Sequence, residues 1–127
     1  MIDLTRKRPK FLNLFAIRLP LPGFASILHR ISGLGVFVVL PLLICMLDAS
    51  LRSPESFAEL QQNMAHPLVK LLLLGLLWAF FHHFLMGVRI LLIDIHIGVD
   101  KEQARASAIA VLVGGVLLTL VAGVWLW

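Results

Sequence analysis

Midway along a very apolar stretch running from Pro67 to Ile93 fall the ionisable side chains of His82, His83 and Arg89. An Arg near the centre of a membrane span costs about 2.5–3.5 kcal/mol on insertion scales, and helices that accept such groups usually hold a cofactor, an ion or a proton path. Neutral imidazole is the cheapest titratable group to bury in lipid, and it ligates haem iron. Adjacent histidines on one helix cannot reach opposite faces of one iron. His29 is the only other histidine within an apolar span, and its place near the end of that span predicts a depth that fits His83 poorly. A two-histidine iron site would then draw its second ligand from another polypeptide. The competing reading is a histidine pair hydrogen-bonded between helices, with no metal.

At 1.5 Å rise per residue, His83 lies about 15 Å from Ile93 and about 24 Å from Pro67. Gly87 is one turn on from His83, on the same face, where a missing side chain would let a flat macrocycle approach the helix. His82 and Arg89 share a different stripe, roughly 100° round.

A second cluster, Ser26, His29 and Arg30, is spaced i, i+3, i+4, so it projects from one face of a helix. It stands at the entry to the preceding apolar run, where a lipid-soluble molecule would meet water. A quinone suits that place. Its ring carbonyls need donors such as a hydroxyl and a guanidinium, and its reduction needs protons from water. Ser32 and Gly33 follow, leaving room for close packing. The plain alternative has Arg30 snorkelling to lipid phosphates and Ser26 capping a helix.

These residues need long apolar elements to position them, and composition supplies them. The chain has 127 residues, 60% hydrophobic and 14% charged, with a mean hydropathy of +0.97. Soluble domains run near 25% charged, and a single domain of this length, 1–127, cannot bury so much apolar surface on itself. Lipid or partner helices must cover it. Three stretches are long enough to span a hydrocarbon core: about 24–47, about 67–93 and about 107–127. The third carries Gly114, Gly115 and Gly123, which permit close helix approach, and Trp125 and Trp127 suit an interfacial belt. Nothing titratable lies in it, so it reads as packing and anchoring. Ser53-Pro54-Glu55 is a helix start with Ser as N-cap and Pro at N1, predicting a short surface helix from Pro54 to about Met64. Cys45, the single cysteine, sits in the first apolar run as a small packing residue.

Six of the eleven Lys and Arg residues occur by position 30: Arg6, Lys7, Arg8, Lys10, Arg18 and Arg30. Nucleic acid is a poor partner for a chain otherwise this apolar. Topology explains the basic block better, because positive charge favours the cytoplasmic side. The N-terminal segment 1–23 and the second link are then expected inside, with the first link and the C-terminus outside. A polar, Pro-containing segment separates the basic block from the first long apolar run, so the first span is expected to act as an uncleaved insertion signal.

The stretch Ser26-Ile27-Leu28-His29-Arg30-Ile31-Ser32-Gly33 resembles the signature of the cytochrome b membrane-anchor subunits of succinate dehydrogenase, respiratory complex II. His83-Phe84-Leu85-Met86-Gly87-Val88-Arg89, followed by Asp94, resembles the second signature of that family, and Arg8-Pro9 and Ile17-Arg18-x-Pro20 resemble its lead-in. The resemblance implies an all-α membrane protein of three transmembrane helices with a short amphipathic N-terminal segment, packed with a second anchor subunit into a helical bundle. It implies Ser26 and Arg30 at a ubiquinone pocket, His83 as axial ligand to haem b, and His29 and Arg30 near the haem propionates. Arg89, Asp94 and His82 are left with proton or structural roles; the family pattern does not require His82. The family often has a histidine where this chain has Ile90, so any role for that histidine does not carry over.

The implied partners are a second small membrane-anchor subunit sharing the haem, an iron–sulfur subunit, and a flavoprotein subunit with covalent FAD. The setting is a bacterial inner membrane, and a trimer of such heterotetramers is one assembly open to it. Two rivals stand beside this reading. One is the haem-free quinone-site anchor of a fumarate reductase. The other is a small proton channel or transporter using His82, His83 and Arg89 as a relay.

Overall fold

The computed structural model describes residues 16–127; the basic block at 6–10, the Arg8-Pro9 lead-in and most of the predicted 1–23 segment lie outside them. Four helices follow in order: α1 Leu21–Arg52, α2 Pro54–Met64, α3 Pro67–Asp94 and α4 Lys101–Leu126. Helices α1, α3 and α4 are long and apolar enough to cross a membrane, and no strand occurs among the described residues.

Helix α1 runs past its predicted limits at both ends. At its start the extended Pro20 accepts from the Gly23 and Phe24 amides at 2.9 and 3.1 Å, and Pro22 falls in the first turn, where an amide would be unbonded anyway. At its end Asp48 and Arg52 pair across one turn, which keeps a stretch helical that hydropathy alone assigns to a link. Pro54 then forces Ser53 into extended backbone, with φ −160° and ψ 162°. Pro41 lies inside α1 without ending it.

Helix α2 matches its predicted span, and its cap is the one the sequence predicts. Ser53 Oγ accepts from the Ser56 amide at 3.1 Å, and Ser56 Oγ donates back to the Ala49 carbonyl at 2.7 Å. The exposed Glu55 carboxyl is held below its usual range by hydrogen bonding to the Ser53 hydroxyl and then to its own backbone. Helix α4 begins at Lys101, six residues before the predicted 107. Lys101 to Ala106 is polar but built of good helix formers, so the apolar span has a charged helical foot. The link shrinks to Ile95–Asp100, where His96 (φ 64°) and Gly98 (φ 77°) adopt left-handed backbone.

Helix α3 packs against both α1 and α4. Its stripe His82, Met86 and Arg89 is buried, facing a stripe of α4 made by Ala108, Val111, Gly115, Thr119 and Gly123. A Cβ on Gly115 would stand 3.5 Å from His82 Cα, and one on Gly123 would meet Leu74 Cδ2 at 2.8 Å. Small residues do bring these backbones together, as their placement in the third apolar stretch predicts. On α1 only Ala25 and Ser32 are fully buried, so most of that helix is left for lipid or another chain. At the far end of the bundle Lys70 Nζ lies 5.6 Å from the Trp127 ring centroid, a cation–π contact.

Candidate functional site

The two imidazoles of His29 on α1 and His83 on α3 stack, with centroids 4.2 Å apart and planes 12° from parallel. They therefore share one level of the bundle, against the sequence expectation that their depths differ. Depth read from hydropathy is counted from the edge of each span. The offset between two helices is set by how their surfaces interlock, and here α1 and α3 lock at these rings.

His83 Nδ1 lies 3.1 Å from the His29 carbonyl oxygen. A carbonyl only accepts, so Nδ1 carries the proton, and in neutral imidazole the lone pair is then on Nε2. That is the tautomer of a metal-ligating or proton-accepting histidine. The same carbonyl also accepts from Ser32 Oγ at 3.0 Å. Room for the His83 ring comes from α1: a Cβ on Gly33 would meet its Cε1 at 2.6 Å and its Nδ1 at 2.9 Å. Gly87, which the sequence places beneath His83, serves the other ring. A Cβ there would stand 4.0 Å from His29 Nε2, and that nitrogen is buried with no hydrogen-bond partner.

Ser26 lies one turn before Arg30 on α1, beside the ring pair; Ser26 is half-buried and Arg30 exposed. The Ser26, His29 and Arg30 grouping is thus preserved as a helix face, with its cation outermost. The clefts at the two ends of the bundle are lined by other residues: Pro20, Leu21, Pro22, Lys101, Ala104 and Arg105 at one end, and a wall that includes Leu73, Phe80 and Trp127 at the other. No group of three His, Cys, Asp or Glu side chains able to hold a metal forms among the described residues. Both residues of the ring pair are half-buried.

The face of α3 about 100° round from His83 is closed. His82 has no exposed surface, stacks on Trp78 at 5.2 Å, and leaves both ring nitrogens without a hydrogen-bond partner. Arg89, expected from sequence to serve a proton path or the structure, ties α3 to the foot of α4. Its Nε donates to Ser107 Oγ at 2.9 Å and its Nη2 to the Ala104 carbonyl at 3.1 Å, with Met86 Sδ 3.8 Å from Nη1. Asp94 is exposed at the last position of α3. Sequence reasoning missed the Arg89–Ser107 tie; the one signal for it was a hydroxyl at the edge of an otherwise apolar span.

A family model described as succinate dehydrogenase/fumarate reductase transmembrane subunit matches residues 5–122. A succinate dehydrogenase cytochrome b556 subunit of Coxiella burnetii is 35% identical over 122 residues, covering 95% of this chain and 98% of that one. The protein of the same name from Paracoccus denitrificans is 35% identical over 121 residues, 94% of this chain and 93% of its own. That of Rickettsia conorii is 27% identical over 118 residues, 93% of this chain and 92% of its own.

Proposed function

The chain belongs to the succinate dehydrogenase/fumarate reductase transmembrane subunit family, and from that premise we propose that it is the cytochrome b anchor of a succinate:quinone oxidoreductase. Haem b is the cofactor in this reading; His83 and a histidine of a second small anchor subunit would hold it. The observation that carries the proposal is the His83 Nδ1 contact with the His29 carbonyl. Metal-bound histidines almost always donate their other ring N–H to such an acceptor, which fixes the tautomer and raises ligand basicity. The donor set fits a haem in a second way. His29 Nε2 is buried and unbonded, a state that costs about 1–3 kcal/mol and that a propionate oxygen would relieve. Arg30, next in sequence and exposed, offers the positive charge for the same carboxylates.

Haem b, when bound, would supply a one-electron store. The chain's own residues bind and orient. Ser26 and Arg30 offer a hydroxyl and a guanidinium to the carbonyl oxygens of a quinone, ubiquinone by this reading, entering from the lipid at the head of α1. That end, on the cytoplasmic side in this reading, meets water, from which protons would reach the reduced ring. Helices α1, α3 and α4 hold these groups in the bilayer as one domain. The N-terminus and the α3–α4 link lie on the cytoplasmic side of a bacterial inner membrane, and the C-terminus on the periplasmic side. An iron–sulfur subunit docks on the cytoplasmic face and delivers electrons from a flavoprotein that oxidises succinate on FAD. This chain is not catalytic alone.

Purification through a tag on this chain tests the proposal. Expected in the eluate are a flavoprotein, an iron–sulfur protein, a second small membrane subunit and a b-type absorption band. A chain that purifies alone as a folded homo-oligomer, with ion flux and no chromophore, would overturn it in favour of the channel reading.

A further inference from the structure

Resting on the haem reading above, we propose that Gly33 is a positioning residue: by lacking a side chain it lets α1 serve as the floor on which the His83 ring is held, with Nδ1 on the His29 carbonyl and Nε2 free for iron. Two independent contacts meet at this ring. A Cβ at Gly33 would stand 2.6 Å from Cε1 and 2.9 Å from Nδ1, closer than real Cβ atoms approach, so any side chain there must move the imidazole. The hydrogen bond that sets the tautomer comes from His29, four residues earlier and one turn away on the same helix, at 3.1 Å. Ring position and proton placement are therefore fixed by a single turn of α1, and the ligand itself stands on α3.

The neighbouring glycine supplies an internal control. Gly35 has nothing within 4 Å of an added Cβ, so Gly35→Ala changes backbone propensity as Gly33→Ala does without touching the ring. Ser32 supplies a second lever. Its hydroxyl shares the His29 carbonyl, so Ser32→Ala leaves that acceptor freer for His83 Nδ1–H. A stronger bond there makes His83 the better electron donor and lowers the midpoint potential of the haem.

The test uses the intact detergent-purified complex. Transfer of haem to excess apomyoglobin is followed by absorbance, and spin state by electron paramagnetic resonance of the oxidised complex. Expected for Gly33→Ala is haem retention weakened about 10–100-fold, in the range of losses at supporting groups around metal ligands, with a new high-spin signal. Gly35→Ala is expected to match wild type. Equal behaviour of the two variants would overturn the proposal. Should Gly33→Ala fail to assemble, Ser32→Ala decides: a lower potential supports it and an unchanged one overturns it. A wild-type complex without any b-type band refutes the haem reading itself, and this inference with it.

Discussion

On α3 His82 is fully buried, its backbone and Cβ against Gly115 of α4 and its ring on Trp78, whereas the ring of His83, about 100° further round the helix, stacks on His29 of α1. The α4 side is finished. Small residues close it, Arg89 bridges it, and the His82 nitrogens have nothing to bind. On the α1 side stands an imidazole whose Nδ1 proton is committed to a backbone carbonyl, which leaves the lone pair on Nε2. Two identical side chains at consecutive positions thus become a packing residue and, in the proposed function, a ligand. The difference lies in the surroundings of each ring, and it teaches that residue type alone does not assign a role here.

The largest effect that would sharpen this contrast is expected on the α1 side. His83→Ala should remove the haem from the complex or leave it badly destabilised, while much of the dehydrogenase still assembles; the reduced-minus-oxidised spectrum of the purified complex reads this directly. A normal low-spin spectrum in that variant would break the comparison outright. Next in size, Arg30→Leu or Ser26→Ala should lower quinone reduction by about an order of magnitude or more, as loss of one to two charge-assisted or neutral hydrogen bonds implies. Electron transfer to a soluble dye acceptor should be spared. Equal loss with both acceptors would indicate an assembly defect instead of a quinone contact.

The α4 side should respond in stability and not in spectrum. Arg89→Met removes the donors to Ser107 and Ala104 and should cost about 1–3 kcal/mol, the range for buried bonds to charged groups. A lower thermal midpoint with an unchanged haem band is the expected result; a lost band at unchanged stability would mean that the two faces are not separable. The smallest effect is expected at His82. Because neither ring nitrogen is bonded, His82→Leu, of similar volume, breaks no hydrogen bond and should leave stability unchanged or raise it. It should also leave quinone turnover intact. A selective loss of turnover would give His82 a part in proton movement that its packing does not suggest.

Much of this architecture is legible in the sequence, because the signals are local. Ser53-Pro54 writes the cap of α2 into two residues, and the apolar run from Pro67 defines α3 to within one residue of its end at Asp94. The i+7 relation of His82 and Arg89 correctly puts them on one stripe. What was not legible is relational. The level of His29 against His83 depends on how α1 slides along α3, and nothing within either helix encodes that offset. Gly33, read only as room for close packing, proved to be the floor of the His83 ring. Gly87, read as room beside His83, proved to face His29. The foot of α4 was missed because hydropathy marks where lipid ends and not where a helix does.

The most direct test of the central claim is an experimental structure of the intact membrane complex, read at a single atom. The account predicts His83 Nε2 bonded to haem iron, opposite a ligand from another chain, with Nδ1 still on the His29 carbonyl. An Nε2 bonded only to protein or water in the fully assembled, chromophore-bearing complex would contradict it.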